Sequence, residues 1–241
     1  MKKYEVLLFD LDDTLIDNIE NVRYAYKNML KTVGKDYTEE DFFKWWKLDN
    51  QFWIDFHNDK IEIPSEFNSD KDLLLKYLRS LRYVLHFNGE ISIEEAFDIN
   101  EIFLNDLNEV VVPIDGAFET LEYLYDKYRL VIATNGPILA VETKLKKIDC
   151  LQFIDSIFST DMADNAAAKP DKDFFRQLKD YLNFYDDNKI LIIGDSLHSD
   201  VLGGMNCGID TCWFNRKNDI LLDKYKPTMT ITNLKQLIKK L

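Results

Sequence analysis

Four short segments of this chain carry residue types from which chemistry can be built. Asp10, Asp12, Asp13 and Thr14 follow one short apolar run, and Thr134, Asn135 and Gly136 close another. Lys169 and Pro170 stand together ahead of a helical pattern, and a further run ends in Gly194, Asp195 and Ser196 with Asp200 shortly after. If a turn aims Asp10 and Asp12 at one point, their like charges crowd. A divalent cation relieves such crowding. Mg2+ suits it, because the ion prefers hard oxygen donors and takes one or two carboxylates from a protein, with phosphate and water completing its shell. Asp195 is placed to add another carboxylate. The same aspartates fit covalent phosphoryl transfer, in which one carboxylate attacks phosphorus and a neighbouring acid protonates the leaving oxygen, then takes a proton from the hydrolytic water. Charge gathering on the equatorial oxygens of that transition state needs donors and a cation. Thr134, the amides of Asn135 and Gly136, and Lys169 are the candidates. Singly, each segment has a plainer reading as a helix cap, a turn or a helix start. Their order and complementary chemistry favour one joint site.

The elements that must position these residues are legible in the hydropathy. Short β-rich runs at 5–9, 129–134, 156–159, 189–193, 210–214 and 228–231 alternate with helix-patterned segments at 116–127, 138–147, 171–183, 197–206 and 233–240. That alternation predicts an α/β fold, a Rossmann-like parallel sheet flanked by helices. In such a sheet, ligands bind outside the carboxyl ends of the strands, where the four segments fall. Residues 17–110 break the alternation. Apolar positions recur at three and four spacing through 19–30, 72–85 and 94–107, and no strand is convincing. The expected organisation is a core domain over 1–16 and 111–241, with a second, smaller α-helical domain over 17–110 inserted after the first strand. The insertion rejoins the core near Val112, Pro113, Ile114, Asp115 and Gly116, a hinge by its Pro and Gly.

The 241 residues are 46% apolar and 13% aromatic, enough to bury a sizeable core, which excludes a disordered chain. A net charge of −13 repels nucleic acid, and no clustered basic face offsets it, so no nucleic-acid partner is expected. An anionic substrate must then be met by a local device such as a metal ion or a few placed cations. The longest apolar runs fall short of the roughly 20 residues needed to cross a bilayer, and Met1-Lys2-Lys3 leads into no signal-like apolar stretch. Cys150, Cys207 and Cys212 are an odd count without zinc-site spacing, which reads as reduced thiols. A cytoplasmic monomer or homodimer without a membrane partner is expected.

Phe9-Asp-Leu-Asp-Asp-Thr-Leu15, Thr134-Asn135-Gly136, Lys169-Pro170 and Gly194-Asp-Ser-Leu-His-Ser-Asp200 together resemble the four ordered motifs of the haloacid dehalogenase-like superfamily of hydrolases. The resemblance covers the sheet domain and the placement of the insertion, which it implies is a cap closing over the active site. It implies that Asp10 is the nucleophile and Asp12 the general acid/base. It also implies that Asp10, the backbone carbonyl of Asp12, and Asp195 hold Mg2+. Thr134, Asn135 and Lys169 would bind the transferring phosphoryl group, and Asp200 would orient Lys169 or the metal's water shell. Asp13 matches a position that relatives often fill with Gly or another small residue and has no catalytic role. Asp164-Asn165-Ala166-Ala167-Ala168 departs from the pattern, since relatives often carry a glycine before the lysine. Dehalogenases lack an acid at the position of Asp12, so the resemblance favours hydrolysis of a small phosphate monoester. Phosphonate hydrolases use a cap lysine, yet nothing marks Lys44, Lys47 or Lys60 as desolvated.

Within the superfamily the motifs look most like bacterial 5′-nucleotidases acting on pyrimidine and related nucleoside monophosphates. Phosphoglycolate and sugar-phosphate phosphatases and β-phosphoglucomutase-like phosphomutases share the layout. A receiver-like phospho-Asp signalling module is the alternative of a different class, disfavoured by motif order. Residues 42–57 hold three of the four Trp of the chain. These rings are read first as the insertion's own core. The sharper reading has Trp46 or Trp53 stacking on a nucleobase with His57 as a polar contact. His86 and His198 carry no role.

Overall fold

The computed structural model describes every residue except 1, 2, 69, 108, 165 and 166, and the side chains of His57 and Lys71 also lie outside that description. Runs rich in Val, Ile, Leu and Phe, free of Pro, fit a pleated sheet buried on both faces. They form β1 (Val6–Phe9), β2 (Arg129–Thr134), β3 (Ser156–Ser159), β4 (Ile190–Gly194), β5 (Asp210–Phe214) and β6 (Met229–Ile231). These make one six-stranded sheet in the order β3-β2-β1-β4-β5-β6, and each neighbouring pair is parallel. In the centre Leu8 lies opposite Val131 on one side and Ile192 on the other.

Alternation along each strand divides the core into two layers. Leu7 and Phe9 join Leu130, Ile132, Leu191 and Ile193 on one face, where α5 (Ala117–Leu124) and α6 (Ile138–Lys147) pack through Leu121, Leu124, Val141 and Leu145. Val6 and Leu8 join Val131, Ala133, Ile190 and Ile192 on the other, covered by Phe174, Phe175 and Leu178 of α7 (Lys172–Leu182). The strand order reverses at β1, with β2 and β3 to one side and β4 to β6 to the other. That switch point opens a crevice at the carboxyl ends of the strands.

Two expected helices differ in detail. The segment read as one helix over 197–206 starts as a π-helical turn, Leu197–Leu202, before α8 (Gly203–Cys207). α8 then packs closely on the core, where a Cβ on Gly203 would strike the Phe175 ring and one on Gly204 would crowd Thr211 and Ile192. The closing helix expected over 233–240 is a 3-10 turn, Leu234–Gln236, followed by α9 (Leu237–Lys240).

Chain contacts separate two compact units, Met1–Ile19 with Val111–Leu241, and Glu20–Val110. The second holds most of α1 (Asn18–Thr32), then α2 (Glu39–His57), α3 (Lys71–His86) and α4 (Ile93–Asp106). Side chains that satisfy free N–H groups start three of them: Thr38 for α2, Asp70 for α3, and Ser92 in a capping box with Glu95 for α4. The unit's core is aromatic. Trp45 is buried against Tyr26, Tyr83 and Phe103, with ring centroids 5.2, 6.4 and 5.2 Å away. Among the described residues no helix is long and apolar enough to cross a membrane.

Candidate active site

β1 and β4 end side by side at the switch point, and their next residues are Asp10 and Asp195. The ladder runs one residue past β1, where the Asp10 N–H donates to Ile193 O at 2.9 Å. The chain then turns sharply, with the N–H groups of Leu15 and Ile16 both donating to Leu11 O and that of Asp13 to Ile16 O. Asp13 takes a left-handed conformation, φ 60°. Gly adopts that region freely and Asp tolerates it, which gives a physical reason for the small residue expected there.

Thr14, fully buried, accepts the Asp195 N–H on its hydroxyl at 3.0 Å, and the Trp213 indole N–H donates to Asp195 O at 2.9 Å. Asp195 is thus gripped on both sides of its Cα by β1's turn and β5. Sequence alone gives neither a role, although Thr14 stands within the first motif and Trp213 next to the last residue of β5.

Lys169 lies at the centre of the site. Its ammonium donates to Asp10 Oδ1 at 2.7 Å and Asp200 Oδ1 at 2.6 Å, and its side chain is 1% exposed. The Asn135 side chain fixes the Lys169 backbone twice, accepting its N–H at 2.8 Å and donating to its carbonyl at 3.0 Å. The amide of Asn135 is therefore a clamp between two motifs. Asn165 and Ala166, in the departing loop before Lys169, lie outside the described residues. Thr134 is buried, and its hydroxyl accepts the Gly136 N–H at 3.0 Å. Asp200, 2% exposed, also accepts the Ser196 N–H at 3.1 Å. A Cβ on Gly194 would collide with its carboxylate, so only Gly lets Asp200 reach Lys169.

Oxygens of Asp10, Asp195 and Asp200 lie within 4.8 Å of one another. Burial, with the Asp200 and Asp12 charges, pushes Asp10 up to about 7 despite Lys169, and burial with the Asp10 and Asp200 charges pushes Asp195 up to about 8. Burial opposes the Lys169 charge too, but Asp10 and Asp200 outweigh it and hold the ammonium above its ordinary range. A divalent cation fits this donor set, being all hard oxygen and short of positive charge.

Asp12 does not join that cluster. Its carboxylate accepts the Lys144 ammonium at 2.7 Å, and its side chain is 33% exposed against 13% for Asp10. Lys144 escaped the sequence reading because a basic last turn is ordinary for a helix such as α6. Its place on the apolar stripe with Val141 and Leu145 was the available signal. Arg216 donates to Asp17 at 2.7 Å and stands 3.6 Å from Asp13, beside a cavity lined by Asp195, Trp213 and Lys217.

A switch-point aspartate held by a buried lysine, on a parallel sheet with a helical unit inserted after the first strand, defines an aspartate-centred α/β hydrolase. Residues 7–214 match the family model of the haloacid dehalogenase-like hydrolases, and the chain belongs to that family. Pyrimidine 5′-nucleotidase YjjG of Escherichia coli is 26% identical over 98% of this chain and 96% of its own length. Pyrimidine 5′-nucleotidase PynA of Streptococcus pneumoniae is 29% identical over 88% and 84%. A crystal structure of the HAD-hydrolase YfnB of Bacillus subtilis bound to magnesium matches with a TM-score of 0.85 at 25% identity, covering 100% of this chain and 99% of that one. A 2-haloacid dehalogenase of Pseudomonas syringae shares the fold at a TM-score of 0.67 and 19% identity, over 98% and 97%. Fold alone therefore does not select the reaction.

Proposed function

We propose that this family phosphatase hydrolyses a nucleoside 5′-monophosphate through a phosphoaspartate on Asp10. The observation that carries the reading is the different placement of two aspartates, Asp10 held by buried Lys169 and Asp12 more exposed and held by Lys144. An Asp10 oxygen attacks phosphorus as the bond to the leaving oxygen breaks, and the proton of Asp12 passes to that oxygen. Water then attacks phosphorus, gives its proton to Asp12, and releases phosphate as the Asp10 ester oxygen departs. Lys169 and Thr134 hold the phosphoryl oxygens, and Asp200 fixes Lys169. Asp10, Asp195 and the Asp12 carbonyl would hold Mg2+, which when bound neutralises phosphoryl charge.

The substrate class draws support from the two pyrimidine 5′-nucleotidases among the relatives. The aromatic segment supports it less. Trp45 serves the core of its unit, while Trp46 and Trp53 are half-buried and Trp53 packs on Phe52 and Phe56. The His57 side chain lies outside the described residues. Glu20–Val110 is read as the cap that selects the leaving group and excludes water during attack. A small sugar phosphate is the second reading, favoured by a 27% identical glyceraldehyde 3-phosphate phosphatase of Pyrococcus furiosus. Free cysteines at 150, 207 and 212 fit a reducing compartment such as the cytoplasm.

Phosphate release measured with and without Mg2+, across nucleoside monophosphates, sugar phosphates and phosphoglycolate, tests the reading. Metal-dependent release favouring a nucleotide, and lost in Asp10→Asn, is expected. Preference for a sugar phosphate would transfer the substrate to the second reading. Activity that needs a bisphosphate activator would make the chain a phosphomutase.

A further inference from the structure

We infer that Lys144 is a positioning residue that holds Asp12 for proton transfer, a reading that rests on the acid/base role proposed for Asp12. Lys144 sits in the last turn of α6 with its side chain 6% exposed, and its ammonium is 2.7 Å from Asp12 Oδ1 and 3.5 Å from Asn18 Oδ1. A lysine on an outer helix face reaches water at little cost. This one lies on the inward stripe between Val141 and Leu145, both in the sheet core, and carries its charge through that layer to the carboxylate. Burying an ammonium is expensive unless it meets a partner with good geometry. The partner here is Asp12, a motif aspartate that stands outside the cluster around Lys169.

The contact also sets the direction of the second carboxylate oxygen. With Oδ1 on Lys144, Oδ2 faces the Thr134–Gly136 segment, 3.8 Å from where a Cβ of Gly136 would stand. That segment supplies the phosphoryl-binding candidates, so Oδ2 is the oxygen turned toward the reacting group. α6 starts two residues after Gly136, with Pro137 at its N-cap. One rigid element therefore fixes both the Thr134–Gly136 loop and the ammonium that orients Asp12. Two lysines divide the motif: Lys169 holds Asp10 and Lys144 holds Asp12.

The test separates orientation of an acid from plain stability by varying the leaving group. Lys144→Met, Lys144→Arg and Asp12→Asn are compared with the parent enzyme by kcat/KM on uridine 5′-monophosphate, or another alkyl phosphate found to be turned over, and on p-nitrophenyl phosphate. The nitrophenolate departs without a proton, so its phosphorylation step does not need the acid. Lys144→Met is expected to lose about 10- to 100-fold on the alkyl phosphate, part of the general-acid contribution, and under about threefold on the aryl phosphate. Lys144→Arg should recover most of the loss. Equal losses on both substrates, or no loss on either, would overturn the inference, as would a loss that tracks a fallen melting temperature. Asp12→Asn keeps the two readings apart. If it too treats both substrates alike, the role of Asp12 fails, whereas if it discriminates and Lys144→Met does not, only the role of Lys144 fails.

Discussion

Each unit of the molecule buries charge, and they use it differently. In the helical unit, Arg82 is buried and pairs one to one with Asp49, and its guanidinium also lies over the rings of Trp53 and Tyr83 at 5.3 and 5.6 Å. Charge and partner balance, and the aromatic rings complete the shell. At the end of the sheet three carboxylates converge, and Lys169 bonds two of them. Charge there does not balance. The consequence is visible in the acids, since burial above all, with neighbouring carboxylate charges, Asp200 among them, drives both Asp10 and Asp195 upward. A balanced buried pair is a packing device, whereas a buried excess of one sign is a site awaiting an ion or a substrate.

Removing a charge should therefore have opposite effects in the two places. Asp10→Asn is expected to lower phosphatase activity by at least about a thousandfold, as loss of a nucleophile does, while the melting temperature of the metal-free protein holds or rises. Relief of carboxylate crowding offsets the lost contact to Lys169. A clear fall in melting temperature would show that Asp10 is structural and would undo the contrast. Arg82→Met runs the other way. It strands Asp49 and should cost about 3 kcal/mol in a denaturant titration, within the range for breaking a buried pair. A cost under about 0.5 kcal/mol would place that pair with ordinary surface bridges.

Metal and pH sharpen the same difference. In the metal-free fold Asp10 and Asp195 keep protons that the unfolded chain releases near 3.8. The folded state then binds more protons than the unfolded state, so stability drains away as pH rises from about 4 toward about 8. Mg2+ held by these carboxylates would replace those protons. At a hundredfold excess over its dissociation constant it should add about 2.7 kcal/mol, and the rise in melting temperature should be larger at pH 8 than at pH 5.5. Equal shifts at both values would mean that the ion binds away from these carboxylates.

Sequence reading succeeded where side-chain type and strand end coincide. The six apolar runs become the six strands because nothing else in a buried parallel sheet satisfies such runs, and Asp10, Thr134, Lys169, Asp195 and Asp200 fall where the order of those runs puts them. It failed where the decisive feature is a direction. The backbone N–H of Asn135 remains a phosphoryl-binding candidate, but nothing in the sequence marks its side chain as the clamp on the backbone of Lys169. The helical insertion was legible through 19–30, 72–85 and 94–107, but α2 was not assigned, because aromatics at 42–57 fill several helix faces and blur the period. The π-helical turn at 197–202 shifts the backbone bonding by one residue, which the helical hydropathy pattern over 197–206 does not report.

The smallest predicted effect falls on the support of the site. Thr14 touches neither a proposed phosphoryl position nor a cation, yet its hydroxyl holds the N–H of Asp195 and lies 3.5 Å from Asp195 Oδ1. Thr14→Val keeps the shape and removes that grip, leaving the Asp195 N–H without its acceptor while Trp213 still holds the carbonyl. Partners one layer behind a ligand commonly tune metal affinity by 10- to 100-fold. The expected result is an Mg2+ activation midpoint raised about tenfold, with activity at saturating Mg2+ within about threefold of the parent. A mutant that loses maximal activity and keeps its midpoint would instead connect Thr14 to Asp10 through the turn they share, making that turn part of the nucleophile's support.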